Sequence, residues 1–296
     1  MKTVLVSGAD ANYFPLLRDL VDSVRDRTPR DRVDLAVLDA GLTGEQREEL
    51  APLVDRFAEP GWDLWPQGDA PGYLRLFESR PFINRYFPGY DLYVWIDADA
   101  WLQEAETIEL LAHGAANGAL AIVPELHSAY RSVIRNLELR YLSFGRIRFD
   151  TWAHALYRDG YGEAAARAYA LRPMLNSGVF ALRADAPHWS AWIASYRAAS
   201  PRKHRIGFDQ IALNHAVYSR GLEAEYLPAW CNWVCSCGLP AYDPETGLLV
   251  DPYLPNHPLG IVHMAWTTKD GTHELTTVDR TSVQRTLRLP REAVGS

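Results

Sequence analysis

Cysteine is scarce in this chain. Its three residues, Cys231, Cys235 and Cys237, are odd in number and lie within seven positions. An odd, clustered set makes a poor disulfide framework. The Cys-x3-Cys-x-Cys spacing also lacks the paired Cys-x2-Cys units of a zinc site, so buried free thiols are expected. No run approaches the roughly 18 apolar residues of a membrane span. Met1 to Ser7 shows neither the basic start nor the long apolar stretch of a secretory signal. A reducing, cytoplasmic setting is the expectation. Positive charge is in deficit as well: 30 Lys and Arg face 37 Asp and Glu, a net charge of −7. That balance argues against a nucleic-acid binder. An acidic chain that binds a phosphorylated ligand needs local basic groups, helix N-termini or a bridging cation.

Apolar residues are abundant. They make up 48% of 296 residues, enough for one large α/β domain or two small ones. Thr3–Ser7 and Val33–Leu38 read as buried strands. Pro15–Arg27 carries Leu16, Leu17, Leu20, Val21 and Val24 at helical spacing. Thr43 to Phe57 reads as a second helix with Thr43 as its N-cap. Alternating strands and helices predict a parallel sheet with helices packed on it, and ligands beyond the carboxyl ends of its strands. Further strands are expected at Asp91–Ile96, Ala119–Val123, Ser177–Leu182 and Ile261–Val262. Helical patterns fall at Pro81–Phe87, Gly162–Tyr169 and Phe208–Tyr218. Trp189, Trp192, Ile193 and Tyr196 line one face of another helix, the spacing of a buried stripe.

The chemistry centres on Asp97-Ala98-Asp99, two acids directly after the apolar strand. On an extended strand both side chains point one way. Crowded carboxylates with little hydration need a cation or protons. Hard oxygen ligands suit Mg²⁺ or Mn²⁺. The competing reading is a pair of acids opening the next helix near Glu104. His263 ends another apolar segment; an imidazole completes such a site and tilts it toward Mn²⁺. Lys269 follows in a loop as a point charge suited to phosphate.

Taken in order, these segments resemble glycosyltransferase family 8, retaining enzymes of GT-A fold that include glycogenin and bacterial lipopolysaccharide galactosyl- and glucosyltransferases. The resemblance runs over roughly residues 3 to 270. Asp10-Ala11-Asn12-Tyr13 resembles the stretch that holds uracil and ribose, which makes Asp10, Asn12 and Tyr13 candidate donor contacts. Val37 to Leu42 resembles the second-strand signature, and Arg80 a donor-contacting arginine. Asp97-Ala98-Asp99 resembles the metal-binding DxD motif. Leu175 to Phe180 resembles the Asn-x-Gly strand, with Asn176 near the donor sugar. Phe208-Asp209-Gln210, followed by Leu213-Asn214, resembles the helix start at the anomeric carbon. His263 and Lys269 resemble the C-terminal metal histidine and phosphate lysine, although the usual Gly and Pro around that lysine are missing and Asp270 follows it. Pro81 is expected to hold Arg80 extended.

The resemblance implies a GT-A type α/β domain over residues 1–275, Rossmann-like, with a mostly parallel sheet flanked by helices. Its nucleotide-binding half is 1–124, and its irregular sugar and acceptor half is 125–275. Residues 276–296 are expected as a solvated tail. Asp97, Asp99 and His263 would hold Mn²⁺ or Mg²⁺; Asp97 and Lys269 would meet the diphosphate of a UDP-sugar. Gln210 and Asp209 are the candidate catalytic pair, and Glu125 a candidate sugar contact. A saccharide or other hydroxyl acceptor would meet the variable stretches 125–172 and 228–258. The rival readings are an inactive nucleotide-sugar-binding protein and a haloacid-dehalogenase-type phosphatase. The phosphatase motif normally follows the first strand, which counts against that reading.

Overall fold

The structure is a computed structural model that describes residues 1–64, 71–130, 138–142, 146–150, 152–199 and 207–290. Its centre is a seven-stranded sheet. In chain order the strands are β1 (Thr3–Ala9), β2 (Val33–Asp39), β3 (Arg56–Ala58), β4 (Leu92–Ile96), β5 (Ala100–Leu102), β6 (Leu120–Pro124), β7 (Glu138–Leu142), β8 (Arg146–Asp150), β9 (Leu175–Arg183) and β10 (Ala224–Tyr226). The sheet order is β10-β6-β9-β4-β1-β2-β3. β1 pairs in parallel with β2 and β4, while β9 runs antiparallel to both β4 and β6. β5 lies outside this sheet, and β7 and β8 pair with each other.

Helix α1 (Phe14–Arg27) buries Leu17, Leu20, Val21 and Val24, the stripe expected from its spacing. Helix α2 spans only Gly44–Leu50, not the expected Thr43 to Phe57. Thr43 caps it with a complete capping box. Pro52 has no N–H to continue the ladder, and Arg56–Ala58 leaves as strand β3 beside β2. Helices α3 (Leu74–Ser79), α4 (Ile83–Tyr86) and α5 (Glu106–Ala115) follow. Helix α6 spans Trp152–Tyr169 and breaks at Gly162, whose φ of 85° is non-helical. Helix α7 (His188–Ala198) buries Trp189, Trp192, Ile193 and Tyr196. Helix α8 covers Phe208–Arg220.

The later part of the chain is built from short strands. β11 (Trp233–Val234), β12 (Ala241–Tyr242), β13 (Leu249–Val250), β14 (Ile261–His263), β15 (His273–Thr276) and β16 (Ser282–Arg285) complete the order. β14 joins β11 and β5 in a three-stranded layer against the main sheet. The stretch from 276, expected as a solvated tail, packs back as far as it is described. Leu287 is buried, Trp101 Nε1 donates to its carbonyl at 2.8 Å, and Arg288 pairs with Asp19. Residues 291–296 lie outside the described residues, as do 131–137, 143–145 and 151 of the expected acceptor stretch. Cys231 and Cys235 are buried free thiols, and Cys237 is half-buried.

Candidate active site

A cleft of about 1050 Å³ opens where the carboxyl ends of β1 and β4 face the short-strand layer. All twelve residues singled out in the sequence line it: Asp10, Asn12, Tyr13, Arg80, Asp97, Asp99, Glu125, Asn176, Asp209, Gln210, His263 and Lys269.

The reversed direction of β9 brings its first residues to the end of β4. Ile96 pairs with Val179, and the Asp97 amide donates to the Gly178 carbonyl at 2.8 Å. Asp97 to Asp99 lie in a turn between β4 and β5 rather than on a strand. β5 in turn pairs with β14, setting His263 opposite Ala100, and the Met264 amide donates to the Asp99 carbonyl at 2.8 Å. Two strand pairings thus deliver His263 and Gly178 to the two acids. Gly178 is needed for its size: a Cβ there would stand 2.5 Å from His263 Cε1 and 2.8 Å from Asp97 Oδ2.

Each carboxylate is anchored through one oxygen and presents the other. Asp97 Oδ1 accepts from Arg80 Nη2 and, at 2.7 Å, from Trp95 Nε1. Asp99 Oδ2 faces Lys269 Nζ at 2.8 Å. The remaining oxygens turn to His263 Nε2, 3.9 Å from Asp97 Oδ2 and 3.4 Å from Asp99 Oδ1. One ligand atom from each of the three residues falls within 4.8 Å of the others. His263 Nδ1 lies 3.0 Å from Asn232 Oδ1. That contact calls for a proton on Nδ1 and turns Nε2 toward the acids, the usual outer support of a metal-ligating histidine.

Charge is tightly balanced here. Burial opposes ionisation of Asp99, but His263 and then Lys269 outweigh it and hold its carboxyl well below the usual range. Burial pushes the Asp97 carboxyl up, with Arg80 pulling it back only in part. Burial opposes the charge on His263, yet Asp99 and Asp97 together raise its pKa.

Arg80 crosses the floor of the cleft. Its Nη1 donates to Ser177 Oγ at 3.0 Å and to Asp209 Oδ2, while Nη2 holds Asp97. The residue is helical, with φ −51° and ψ −46°, not extended as Pro81 led us to expect. Pairing a buried guanidinium with buried Asp209 and half-buried Asp97 outweighs the pre-proline preference. Asp209 is buried, and its Oδ1 has no hydrogen-bond partner among the described residues.

Glu125, just after β6, ties that strand's end to β9 and α8. Its Oε1 accepts from Asn176 Nδ2 at 2.8 Å and Gln210 Nε2 at 2.9 Å. Gln210 Oε1 accepts from the Ser177 amide at 3.2 Å, so its side-chain amide has a fixed orientation. Asn214 locks α8 to β9 through the Leu175 amide and carbonyl, each at 2.8 Å. At the far end, Asp10 Oδ1 accepts from the amides of Asn12 and Tyr13, both at 3.1 Å. Lys269 Nζ donates to the Tyr13 hydroxyl at 2.7 Å.

Asn232, Ser177 and Trp95 were not singled out from the sequence. Ser177 and Trp95 sit inside segments that carried a strand signal. Asn232 lies in a 3₁₀ turn with no pattern to mark it.

No protein-family model and no curated protein matches the chain. Among solved structures it is similar to the apo form of WbbM, a bifunctional glycosyltransferase, with a TM-score of 0.56 and 16% identity. The fold is that of a GT-A glycosyltransferase. The match covers 77% of this chain but only 39% of the WbbM chain. The galactosyltransferase LgtC, solved with donor and acceptor sugar analogs, aligns over 90% of this chain and 88% of its own (TM-score 0.49, 16% identity). The apo glycosyltransferase GlyE of Streptococcus pneumoniae TIGR4 aligns over 79% of this chain and 47% of its own (TM-score 0.48, 14% identity). Among the described residues no helix is long and apolar enough to cross a membrane.

Proposed function

We propose that the chain is a metal-dependent glycosyltransferase that moves a hexose from a UDP-sugar to a hydroxyl of a saccharide or other acceptor, with retention of anomeric configuration. The convergence of Asp97, Asp99 and His263 on one point of the GT-A cleft carries this reading. Two carboxylate oxygens and an imidazole nitrogen, turned toward one another, suit Mn²⁺ or Mg²⁺. Such a cation, when bound, supplies Lewis-acid stabilisation of the charge that grows on a diphosphate leaving group.

The chain's own residues account for the rest. Lys269 sits beside Asp99 and offers its charge to a phosphate oxygen, against the net charge of −7. Asp10, Asn12 and Tyr13 stand at the end of β1, where base and ribose would lie. Arg80, Asp209 and Asn176 form the buried floor for the donor sugar. The unpartnered Asp209 Oδ1 is an acceptor waiting for a hydroxyl. Gln210, fixed from both ends of its amide, presents an oriented dipole near the anomeric carbon and acts as a stabiliser.

Calorimetry of UDP binding with Mn²⁺ and with excess chelator, for wild type and Asp99→Ala, tests the reading. Binding that needs the metal and disappears in the variant is expected. Metal-independent binding, or full affinity in Asp99→Ala, would sink the assignment. Turnover of UDP-galactose and UDP-glucose over an acceptor panel, with the product anomer read by NMR, tests transfer and retention.

A further inference from the structure

Trp266 is the most exposed aromatic side chain among the described residues. Trp95, Trp101, Trp192 and Trp233 are almost wholly buried, whereas Trp266 is 69% exposed. It nonetheless lines the cleft, between Ala265 and Thr267. Its backbone takes a φ of 59°, a left-handed conformation that bulky side chains rarely adopt. The surrounding segment enforces it. On one side the Met264 amide donates to the Asp99 carbonyl and the Cys235 amide donates to the His263 carbonyl, at 2.8 and 2.9 Å. On the other, Thr268 Oγ1 donates to the Ala265 carbonyl at 3.0 Å, and Lys269 is held by Asp99 and Tyr13. Among the described residues the indole has no hydrogen bond and no ring partner. A strained, solvent-facing tryptophan does nothing for the core, and strain of this kind is retained where a side chain serves a site.

We infer that Trp266 is the stacking platform for the acceptor sugar. The inference rests on the glycosyltransferase reading and names the acceptor class of that same site: a saccharide that presents the apolar C–H face of a hexopyranose ring. An indole offers such a ring a broad apolar face and one N–H for a hydroxyl. A burial gradient separates acceptor from donor. Arg80, Asn176 and Asp209 at the floor are 6%, 6% and 1% exposed, whereas Trp266 lies at the mouth. A donor sugar tied to its diphosphate belongs at the floor, and the group that arrives from solvent meets the mouth.

The test uses the whole chain as wild type, Trp266→Ala, Trp266→Phe and Trp266→Gly. Lactose, maltose and methyl β-galactoside are titrated by saturation-transfer NMR, with UDP and Mn²⁺ present and again without them. UDP affinity is measured by calorimetry in parallel. Wild type is expected to bind at least one of the saccharides. Trp266→Ala and Trp266→Gly should weaken it about tenfold, Trp266→Phe should retain part, and UDP affinity should hold within about twofold. Trp266→Gly should melt at a higher temperature than wild type, since glycine tolerates this φ; loss of a merely structural tryptophan would lower it. Undiminished saccharide binding in Trp266→Ala overturns the inference. So does a parallel loss of UDP affinity, a lower melting temperature for Trp266→Gly, or a wild type that binds UDP but none of the saccharides. A wild type that binds saccharide through Trp266 but no UDP leaves the platform standing and removes the donor reading instead.

Discussion

Asn232 and His263 face each other across the short-strand layer, side-chain oxygen to Nδ1, at 3.0 Å. The same Asn232 donates through Nδ2 to Asn176 Oδ1 at 2.9 Å. One buried amide therefore orients both the His263 ring and the Asn176 side chain. Asn232→Ala should lower the Mn²⁺ affinity of the site by about 10- to 100-fold, the range for lost outer-shell support. Metal titration by calorimetry, in the presence of UDP, reads it. An unchanged affinity would show that the Asn232 contact does not orient a ligand.

Gly178→Ala should damage the site more than the fold. The new methyl would meet His263, Asp97 and Asn176, at 2.5, 2.8 and 2.9 Å from the nearest atom of each. Overpacking of this kind costs about 1–3 kcal/mol. The expected result is a lower unfolding midpoint in urea together with loss of metal-dependent UDP binding. A variant that binds UDP and Mn²⁺ as wild type does would contradict the closeness of the β4 and β9 ends.

Arg80→Met should leave Asp97 and Asp209 without their shared guanidinium. Removing one member of a buried ionic cluster costs about 3–5 kcal/mol. Mn²⁺ should restore part of the stability, because it supplies positive charge beside Asp97. The melting temperature with and without Mn²⁺ checks this: the metal should raise it more in Arg80→Met than in wild type.

Glu125→Gln should stabilise the chain near neutral pH. Burial raises the Glu125 carboxyl pKa, while the hydrogen bonds from Asn176 and Gln210 only partly offset it. Between the ordinary glutamate value, about 4.3, and the raised folded value, the native state holds more protons than the unfolded chain. Stability therefore falls as pH rises through that window. The glutamine keeps an oxygen for both amides and does not titrate. Its melting temperature should exceed that of wild type at pH 7, and the gap should close as pH drops below the glutamate range. An equal gap at pH 3.5 and pH 7 would remove titration of Glu125 as its cause.

Much of this arrangement was legible because it is written in local patterns. Leu92 to Ile96 is an unbroken apolar strand that stops at Asp97, so the acids had to emerge at a strand end. The stripe of α1 and the N-cap at Thr43 follow from local sequence alone. What stayed hidden depends on partners distant in sequence. Arg80 is helical because Asp97 and Asp209 reach it, and neither is visible from Ser79-Arg80-Pro81. Asn232 gains its place only once β11 and β14 pair. Leu287 looks like a stray leucine in a polar stretch until Trp101 is seen beneath it. Trp266 carries no sequence signal, since left-handed backbone at a tryptophan is set by its fixed neighbours.

On the proposed metal reading, the pairing of β5 with β14 would also link metal capture to docking of the short-strand layer. Asp99 precedes one strand of that ladder and His263 ends the other, so a cation held by both would tie the two together. Saturating metal would therefore slow amide hydrogen exchange along Ala100–Leu102 and Ile261–His263.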